Sequence, residues 1–214
     1  MLRYVHDNGN KGWFFMKQGL RAIAGGVVIC LLLVMCAFEG NCAQIRNGVV
    51  RLHVLANSDT QADQALKLRV RDAVLSVGEG LFTQTTSREQ AEQQLKAALP
   101  QIQHAAAECI RQQGYDYPVT AELTESYFST RTYESGTFPA GRYKTVQIVI
   151  GEGQGKNWWC VMYPPLCVAA ATDRRSLSDT LGEEPCRIIE QAPRYAVRFK
   201  VVEWFSAIVS WLEA

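Results

Sequence analysis

The sequence predicts an α+β fold in which helices pack on a mainly antiparallel sheet, preceded by an N-terminal signal or anchor helix. Three observations lead to this prediction. The patterns follow the order strand, helix, helix, strand, hairpin, helix, which is typical of α+β domains. Two apolar runs rich in β-branched and aromatic residues, Tyr143 to Ile150 and Trp158 to Tyr163, indicate strands. An uncharged run of 17 residues, Ala22 to Phe38, lies near the N-terminus.

The N-terminal apolar run is predicted to be an export signal or a short membrane anchor. A helix of this length spans about 25 Å, slightly less than the roughly 30 Å hydrocarbon core of a bilayer. Basic residues precede the run and Glu39 follows it, so the positive-inside rule places the N-terminus in the cytoplasm and the rest of the chain outside. The basic residues are Arg3, Lys11, Lys17 and Arg21.

We therefore divide the chain into a cytoplasmic basic leader (1–21), a signal peptide or membrane anchor (22–43) and a single extracytoplasmic α+β domain (44–214). Asn41 fits poorly two residues before a cleavage site at Ala43, so both release and anchoring stay open. A hydrophobic content of 48% gives the domain a real core. With a net charge of +1 and no cluster of basic residues, a nucleic-acid partner is not expected.

The first half of the domain is predicted to contain one strand and two helices. In the strand Gly48 to Ala56, Arg51 and His53 lie opposite an apolar face. That face comprises Val50, Leu52, Val54 and Ala56. Ser58 and Gln61 have the spacing of a capping box, and a helix is expected from about Gln61 to Gly78. A second helix is expected from Ser87 to Gln113, kinked or split at Pro100.

The second half is predicted to be mostly strand. Val119 to Tyr127 alternates between apolar and polar residues, with Tyr127 directed inward. Residues 129–136 are expected to form a loop or an edge hairpin. The two apolar runs around the glycine-rich segment 151–156 are expected to be neighbouring central strands of one hairpin. A C-terminal amphipathic helix, Arg198 to Leu212, is expected to pack on the sheet.

No catalytic constellation stands out in the sequence. His53 with Asp59 or Asp63 would need a nucleophile such as Cys160, and there is no G-x-S-x-G elbow, so a structural role for His53 is favoured. The glycines at 151, 153 and 155 precede a strand, whereas a phosphate loop precedes a helix. No cofactor or metal is expected.

Cys160 and Cys167 are predicted to form a disulfide. They flank a strand end and the Pro164-Pro165 bend, which can return the chain and bring the two Cα atoms close enough. The alternative is that Cys160 is a buried free thiol.

Three strings are unusual enough to identify a family. They are RLHVLANSD at Arg51–Asp59, FPAGRY at Phe138–Tyr143 and GEGQGKNWWCVMYPPLC at Gly151–Cys167. From about Val49 onward the chain resembles the stage II sporulation protein R family of endospore-forming bacteria. The resemblance implies a signal that is exported across the forespore membrane into the intermembrane space, or anchored with its domain outside. It also implies a partner, the extracytoplasmic part of a membrane-embedded aspartic protease in the mother cell, which then matures the precursor of the early mother-cell sigma factor.

Two other functions stay open at this point. One is an exported hydrolase acting on cell-wall or lipid material, using His53 with an acidic or thiol partner. The other is a membrane-anchored structural module of the spore envelope. Convergence of His53, Asp59 and Cys160 in a pocket would favour the hydrolase.

Two loops are the candidate partner-binding surfaces. Asn57 and Asp59 lie in the segment after the first strand, and Tyr127, Arg131 and Tyr133 lie in the segment before the central strands. Loops held by rigid strands commonly carry binding residues, and the mixture of aromatic residues with an arginine is typical of interface hot spots. The alternative is that these aromatic residues cap the core from the side.

Overall fold

The computed structural model describes residues 8–82, 85, 87–133, 136–165, 178, 180–191 and 195–204. Contacts divide the chain into two compact units, Met1–Gly40 and Asn41–Ala214. The helices are α1 (Asn8–Gly48), α2 (Gln61–Leu81), α3 (Arg88–Gln112), α4 (Glu183–Glu190) and α5 (195–204). The strands are β1 (Val50–Leu55), β2 (Val119–Phe128), β3 (Arg131–Tyr133), β4 (Gly136–Phe138), β5 (Gly141–Ile150) and β6 (Asn157–Tyr163).

The α+β fold is confirmed, with a mixed sheet of four strands. Their order is β2-β5-β1-β6. Strand β1 is parallel to β5 and antiparallel to β6, and β2 is antiparallel to β5. Two of the three pairings are therefore antiparallel. Strands β3 and β4 form a separate antiparallel hairpin, as expected for the polar segment before β5.

The prediction that β5 and β6 are neighbours is wrong, because β1 lies between them. Val54 of β1 pairs with Ile148 on one side and with Trp158 on the other. Adjacent strands are about 4.8 Å apart, so two strands that flank a third are roughly 10 Å apart, a distance that the six residues 151–156 can span. Strand β5 is central as predicted, whereas β6 is at an edge among the strands that the structure describes.

Helices α2 and α3 pack on one face of the sheet. The core there includes Leu52 of β1, Val70 of α2 and Ile102 of α3, each at most 2% exposed. Helix α3 is capped by Ser87 as predicted, but Pro100 does not split it. The N-cap of α2 is Thr60, whose hydroxyl accepts from the backbone N–H of Asp63, so the capping box predicted at Ser58 is wrong.

The C-terminal elements are partly described. Within α5, Phe199 and Val202 are buried, as the amphipathic pattern predicts. The rest of that predicted stripe, residues 205–212, lies outside the described residues. Tyr127 was expected to point inward, but it is 39% exposed. It lies near the end of β2, which is at an edge among the described strands and whose Ala121 and Leu123 are also only half-buried.

Helix α1 carries the apolar N-terminal run. Its segment Met16–Gly48 is long and apolar enough to cross a bilayer, and the part richest in apolar residues is exposed. Length and composition are the only basis for this finding, and a cleaved signal sequence has the same properties. The helix is compatible with either the signal or the anchor that the sequence predicts.

Candidate functional site

The glycine-rich segment between β5 and β6 closes over the chain that follows β1. The backbone N–H of Gly155 donates to the carbonyl oxygen of Ala56 at 2.9 Å, and that of Gln154 donates to Asn57 at 3.2 Å. Gly155 allows this approach, because an added Cβ would overlap the backbone carbonyl of Ser58. Residues 57–63 and 151–156 therefore form one unit, which we call the loop clamp.

Side chains of the loop clamp tie its two segments together. Asn57 accepts from the backbone N–H of Glu152 at 3.0 Å through Oδ1. It also donates from Nδ2 to the Asp63 carboxylate at 2.9 Å. Asp59 accepts from the backbone N–H of Lys156 at 2.6 Å. Both predicted partner-binding residues in this segment, Asn57 and Asp59, therefore make hydrogen bonds within the domain.

The carboxylate of Asp63 is the buried centre of the loop clamp. It is 4% exposed and accepts from the Ser58 hydroxyl at 2.5 Å as well as from Asn57. These two donors, Ser58 first, hold the pKa of Asp63 below its usual value against the opposing effect of burial. Hydrogen bonds to the ionised form thus keep a charged carboxylate inside the fold.

Lys67, on helix α2, also contributes to the loop clamp. Its ammonium donates to the carbonyl oxygen of Lys156 at 2.8 Å and to the side chain of Gln64 at 2.6 Å, and the residue is 5% exposed. Burial lowers the pKa of Lys67, while the nearby Asp59 opposes that effect. The helical pattern missed this role because the partner is a backbone carbonyl far along the chain.

A second group of residues lies on the sheet face opposite α2 and α3. We call it the arginine-aromatic cluster. Its members are Arg51, Phe128, Arg131, Tyr133, Tyr143 and Trp159. The centre of the cluster is Arg51, which is fully buried. The Arg51 guanidinium carbon lies 4.0 Å from the ring centroid of Phe128 and 5.0 Å from that of Tyr143, and its Nη2 donates to the Tyr133 hydroxyl.

The hairpin β3–β4 brings Arg131 and Tyr133 to this cluster. The Arg131 guanidinium carbon lies 4.0 Å from the centroid of the Trp159 ring. Burial raises the pKa of Tyr133, so its hydroxyl stays protonated, although the nearby Arg51 and Arg131 oppose that shift. Two of the predicted partner-binding residues, Arg131 and Tyr133, are thus brought together, whereas Tyr127 lies exposed on β2.

His53 borders the arginine-aromatic cluster. Its ring centroid lies 5.8 Å from that of Trp159 and 6.1 Å from that of Phe128. Burial lowers the pKa of His53; the Asn157 side chain opposes this effect and the charge of Arg51 adds to it. Neither ring nitrogen has a hydrogen bond of good geometry to a described residue. His53 is therefore mainly neutral at pH 7.

The residues of the hydrolase hypothesis are not brought together. His53 pairs with Trp159 across β1 and β6, so the next residue, Cys160, points to the opposite face and packs in the core. Cys160 is also disulfide-bonded, which removes its thiol. Its predicted partner, Cys167, lies outside the described residues, so that pairing stays a prediction. Asp59 is used in the loop clamp.

Sequence reasoning missed two contributors to the arginine-aromatic cluster, the fully buried Arg51 and the half-buried Trp159. The strand pattern located Arg51 opposite the core face, but a polar residue at such a position is usually solvated. The available signal was the presence of aromatic residues in two unusual strings distant in sequence, FPAGRY with Tyr143 and GEGQGKNWWCVMYPPLC with Trp159.

Comparison with known proteins identifies the family. A family model described as Stage II sporulation protein R matches residues 46–173, which is more than half of the chain. The chain belongs to the stage II sporulation protein R family. The curated Stage II sporulation protein R of Bacillus subtilis (strain 168) is 30% identical over 187 residues, covering 78% of this chain and 84% of that protein. No solved structure matches. The region matched by the stage II sporulation protein R model contains both the loop clamp and the arginine-aromatic cluster.

Proposed function

We propose that this member of the stage II sporulation protein R family is an exported sporulation signal. It activates a membrane-embedded aspartic protease in the mother cell, which then matures the precursor of the early mother-cell sigma factor. The family match over residues 46–173 carries this proposal. The relative from Bacillus subtilis supports it over most of both chains.

The architecture is compatible with export. Helix α1 carries an apolar segment near the N-terminus, preceded by basic residues that favour a cytoplasmic N-terminus. The domain that follows contains a disulfide-bonded cysteine, Cys160. Disulfides persist in oxidising compartments and are rare in the cytosol, which supports a location outside the forespore cytoplasm.

The proposed partner is the extracytoplasmic part of the protease. A binding module of this kind needs side chains held rigidly at a surface that water can reach. Arg131 and Tyr133 meet this requirement, because a short hairpin presents both and aromatic contacts hold both in place. They are therefore the preferred contact residues, ahead of Asn57 and Asp59, whose side chains already bond within the loop clamp.

The test is a complementation experiment in the host organism. A strain that lacks this protein should leave the sigma-factor precursor uncleaved, and the full-length chain made in the forespore should restore cleavage, followed by immunoblotting. The matched control is the chain without residues 1–43, which keeps the domain but removes the export segment, and this variant should fail. If the exported full-length chain leaves the precursor uncleaved, the proposed function is wrong.

A further inference from the structure

The arginine-aromatic cluster contains two guanidinium groups, those of Arg51 and Arg131, and no carboxylate of a described residue pairs with either of them. For Arg51, which is fully buried, the described part of the chain supplies one acceptor, the Tyr133 hydroxyl. The Nε and Nη1 atoms of Arg51 are buried and have no hydrogen-bond partner among the described residues. The Nε of Arg131 is likewise buried, and no residue that the structure describes accepts a hydrogen bond from it.

This arrangement is unusual for a buried arginine. A guanidinium removed from water is stabilised by a carboxylate and by acceptors for its five N–H donors, and contact with aromatic rings replaces only part of that stabilisation. The two charges also repel each other: Arg131 lowers the pKa of Arg51, in addition to the larger lowering caused by burial. A single negative charge placed here would therefore relieve both the desolvation and the repulsion.

Several arginines outside the arginine-aromatic cluster do pair with a carboxylate. Arg71 lies 4.3 Å from the ring centroid of Trp158, much as Arg131 lies over Trp159, but Arg71 also pairs with Asp72 at 2.7 Å. Arg88 and Arg111 likewise pair with glutamates on their own helix. The two arginines of the cluster thus differ from Arg71, which has the same kind of stacking and a carboxylate partner as well.

We propose that Arg51, Arg131 and the Tyr133 hydroxyl form a binding site for one carboxylate, supplied by an acidic side chain of a partner protein. The partner approaches Arg131 and Tyr133, which are half-buried on the hairpin, and Arg51 contributes its charge from the buried side. The protonated Tyr133 hydroxyl supplies one further donor. This proposal rests on the proposed function, since it gives the chemistry with which the signal would contact its receptor.

A carboxylate fits this site better than a phosphate-bearing lipid. Guanidinium groups match planar carboxylates closely, and the aromatic rings of Trp159 and Phe128 leave a dry surround in which one ion pair is strong. Lipid headgroups are usually bound by four to eight clustered Lys and Arg residues. The domain has no such cluster in its sequence, and the whole chain has a net charge of +1.

The experiment measures the thermal stability of the full-length chain in detergent with two matched probes. The probes are N-acetylglutamate α-amide and N-acetylglutamine α-amide, which differ only in the side-chain charge, at constant ionic strength. The glutamate probe should raise Tm by about 3 °C or more at ten times its Kd, and the glutamine probe should not. Arg131→Gln should abolish the rise, and the matched control Arg71→Gln should keep it.

Each other outcome contradicts the site as proposed. The site is refuted by an absent response, by an equal response to both probes, or by a full response in Arg131→Gln. Arg131→Lys keeps the positive charge and the hairpin, and it should weaken the Tm response to the glutamate probe at least threefold. Because this variant is expected to fold, a weaker response in it cannot be attributed to misfolding. Inorganic phosphate and glycerol 3-phosphate serve as probes for free phosphate and for a lipid headgroup. If either probe gives a larger Arg131-dependent rise in Tm than the glutamate probe, the proposal that the ligand is a carboxylate is refuted. If the glutamate probe binds but the chain does not restore precursor cleavage, the proposed function fails while the site stands.

Discussion

Asn57 is the side chain whose removal should damage the loop clamp most. Its amide makes two hydrogen bonds in opposite directions, donating to Asp63 at 2.9 Å and accepting from the backbone of Glu152 at 3.0 Å. The first bond holds the buried carboxylate at the start of α2, and the second holds the connection between β5 and β6. Asn57→Ala removes both bonds without adding bulk, so the two segments lose their common anchor.

The magnitude follows from the surroundings of the two bonds. The bond to Asp63 has a charged acceptor that is 4% exposed, and a bond of that kind contributes about 1.5–3 kcal/mol. The bond to Glu152 is neutral and exposed, and water replaces it at a cost of about 0.5–1 kcal/mol. Asn57→Ala should therefore lower the free energy of unfolding by roughly 2–4 kcal/mol.

Urea unfolding of the full-length chain in detergent, followed by near-ultraviolet circular dichroism, measures this loss. The matched control is Asp59→Asn, in the same segment. It keeps the carbonyl oxygen that accepts from Lys156 and should change stability by less than about 1 kcal/mol. A loss of under about 0.5 kcal/mol in Asn57→Ala, at an unchanged m value, would refute the description of Asn57 as the anchor of the loop clamp.

Four further predictions follow from the same contacts. Gly155→Ala should destabilise the domain by at least about 1–3 kcal/mol in the same urea assay, because the added Cβ overlaps rigid backbone. The pKa of Asp63 is lower in the folded than in the unfolded state. The ionised carboxylate therefore stabilises the fold fully above the unfolded pKa, and this contribution is lost as pH falls through the folded pKa. Urea unfolding measured between about pH 5 and pH 2 should show this loss of stability. His53→Ala should keep precursor cleavage in the complementation assay, because Cys160, the nucleophile of the hydrolase hypothesis, points to the opposite face of the sheet and is disulfide-bonded. Non-reducing mass spectrometry of the exported protein should find Cys160 bonded to Cys167, which closes a short loop and contributes about 2.5 kcal/mol.

Each of these predictions has a specific control. Gly40→Ala, at a helical glycine where an added Cβ would meet none of the described atoms beyond the nearby backbone of its own helix, should change stability far less than Gly155→Ala. In Asp63→Asn, the free energy of unfolding should fall less steeply as the pH is lowered. An unchanged pH dependence would mean that another carboxylate causes it. Loss of cleavage in a folded His53→Ala would replace the signalling interpretation with a catalytic one. A free Cys167 thiol would rule out the predicted pairing.

The local elements of the fold could be predicted because their signals are local. The N-cap of α3 at Ser87 follows from a capping residue beside an apolar helical pattern. The start of α2 at Gln61 follows from the onset of such a pattern, although its N-cap is Thr60 and not Ser58. The apolar face of β1 follows from strict alternation, and its residues are fully buried. Each of these features depends on residues within about four positions, so one chain contains the information needed.

The pairing of the strands could not be predicted in the same way. A glycine-rich connection of six residues suits a hairpin, but it equally suits a connection that passes over the end of a third strand. The deciding interactions are those between Gly155 and Ala56 and between Asn57 and Glu152, which are distant in sequence. The exposure of Tyr127 and the burial of Lys67 were missed for a similar reason, because both depend on which neighbours the tertiary fold supplies.

Strand β1 connects the two candidate sites. Its C-terminal end continues directly into Asn57, so the loop clamp fixes the position of the strand along its axis. Because β1 is paired on both sides, a shift by one residue would exchange its two faces and move Arg51 from the aromatic rings into the apolar core. By fixing β1, the loop clamp therefore holds Arg51 in place at the carboxylate site, although the clamp itself is not part of that site. Asn57→Ala should accordingly weaken binding of the glutamate probe, even though Asn57 does not contact the probe. Arg131→Gln, in contrast, should remove probe binding with little loss of stability, which separates a positioning residue from a contact residue.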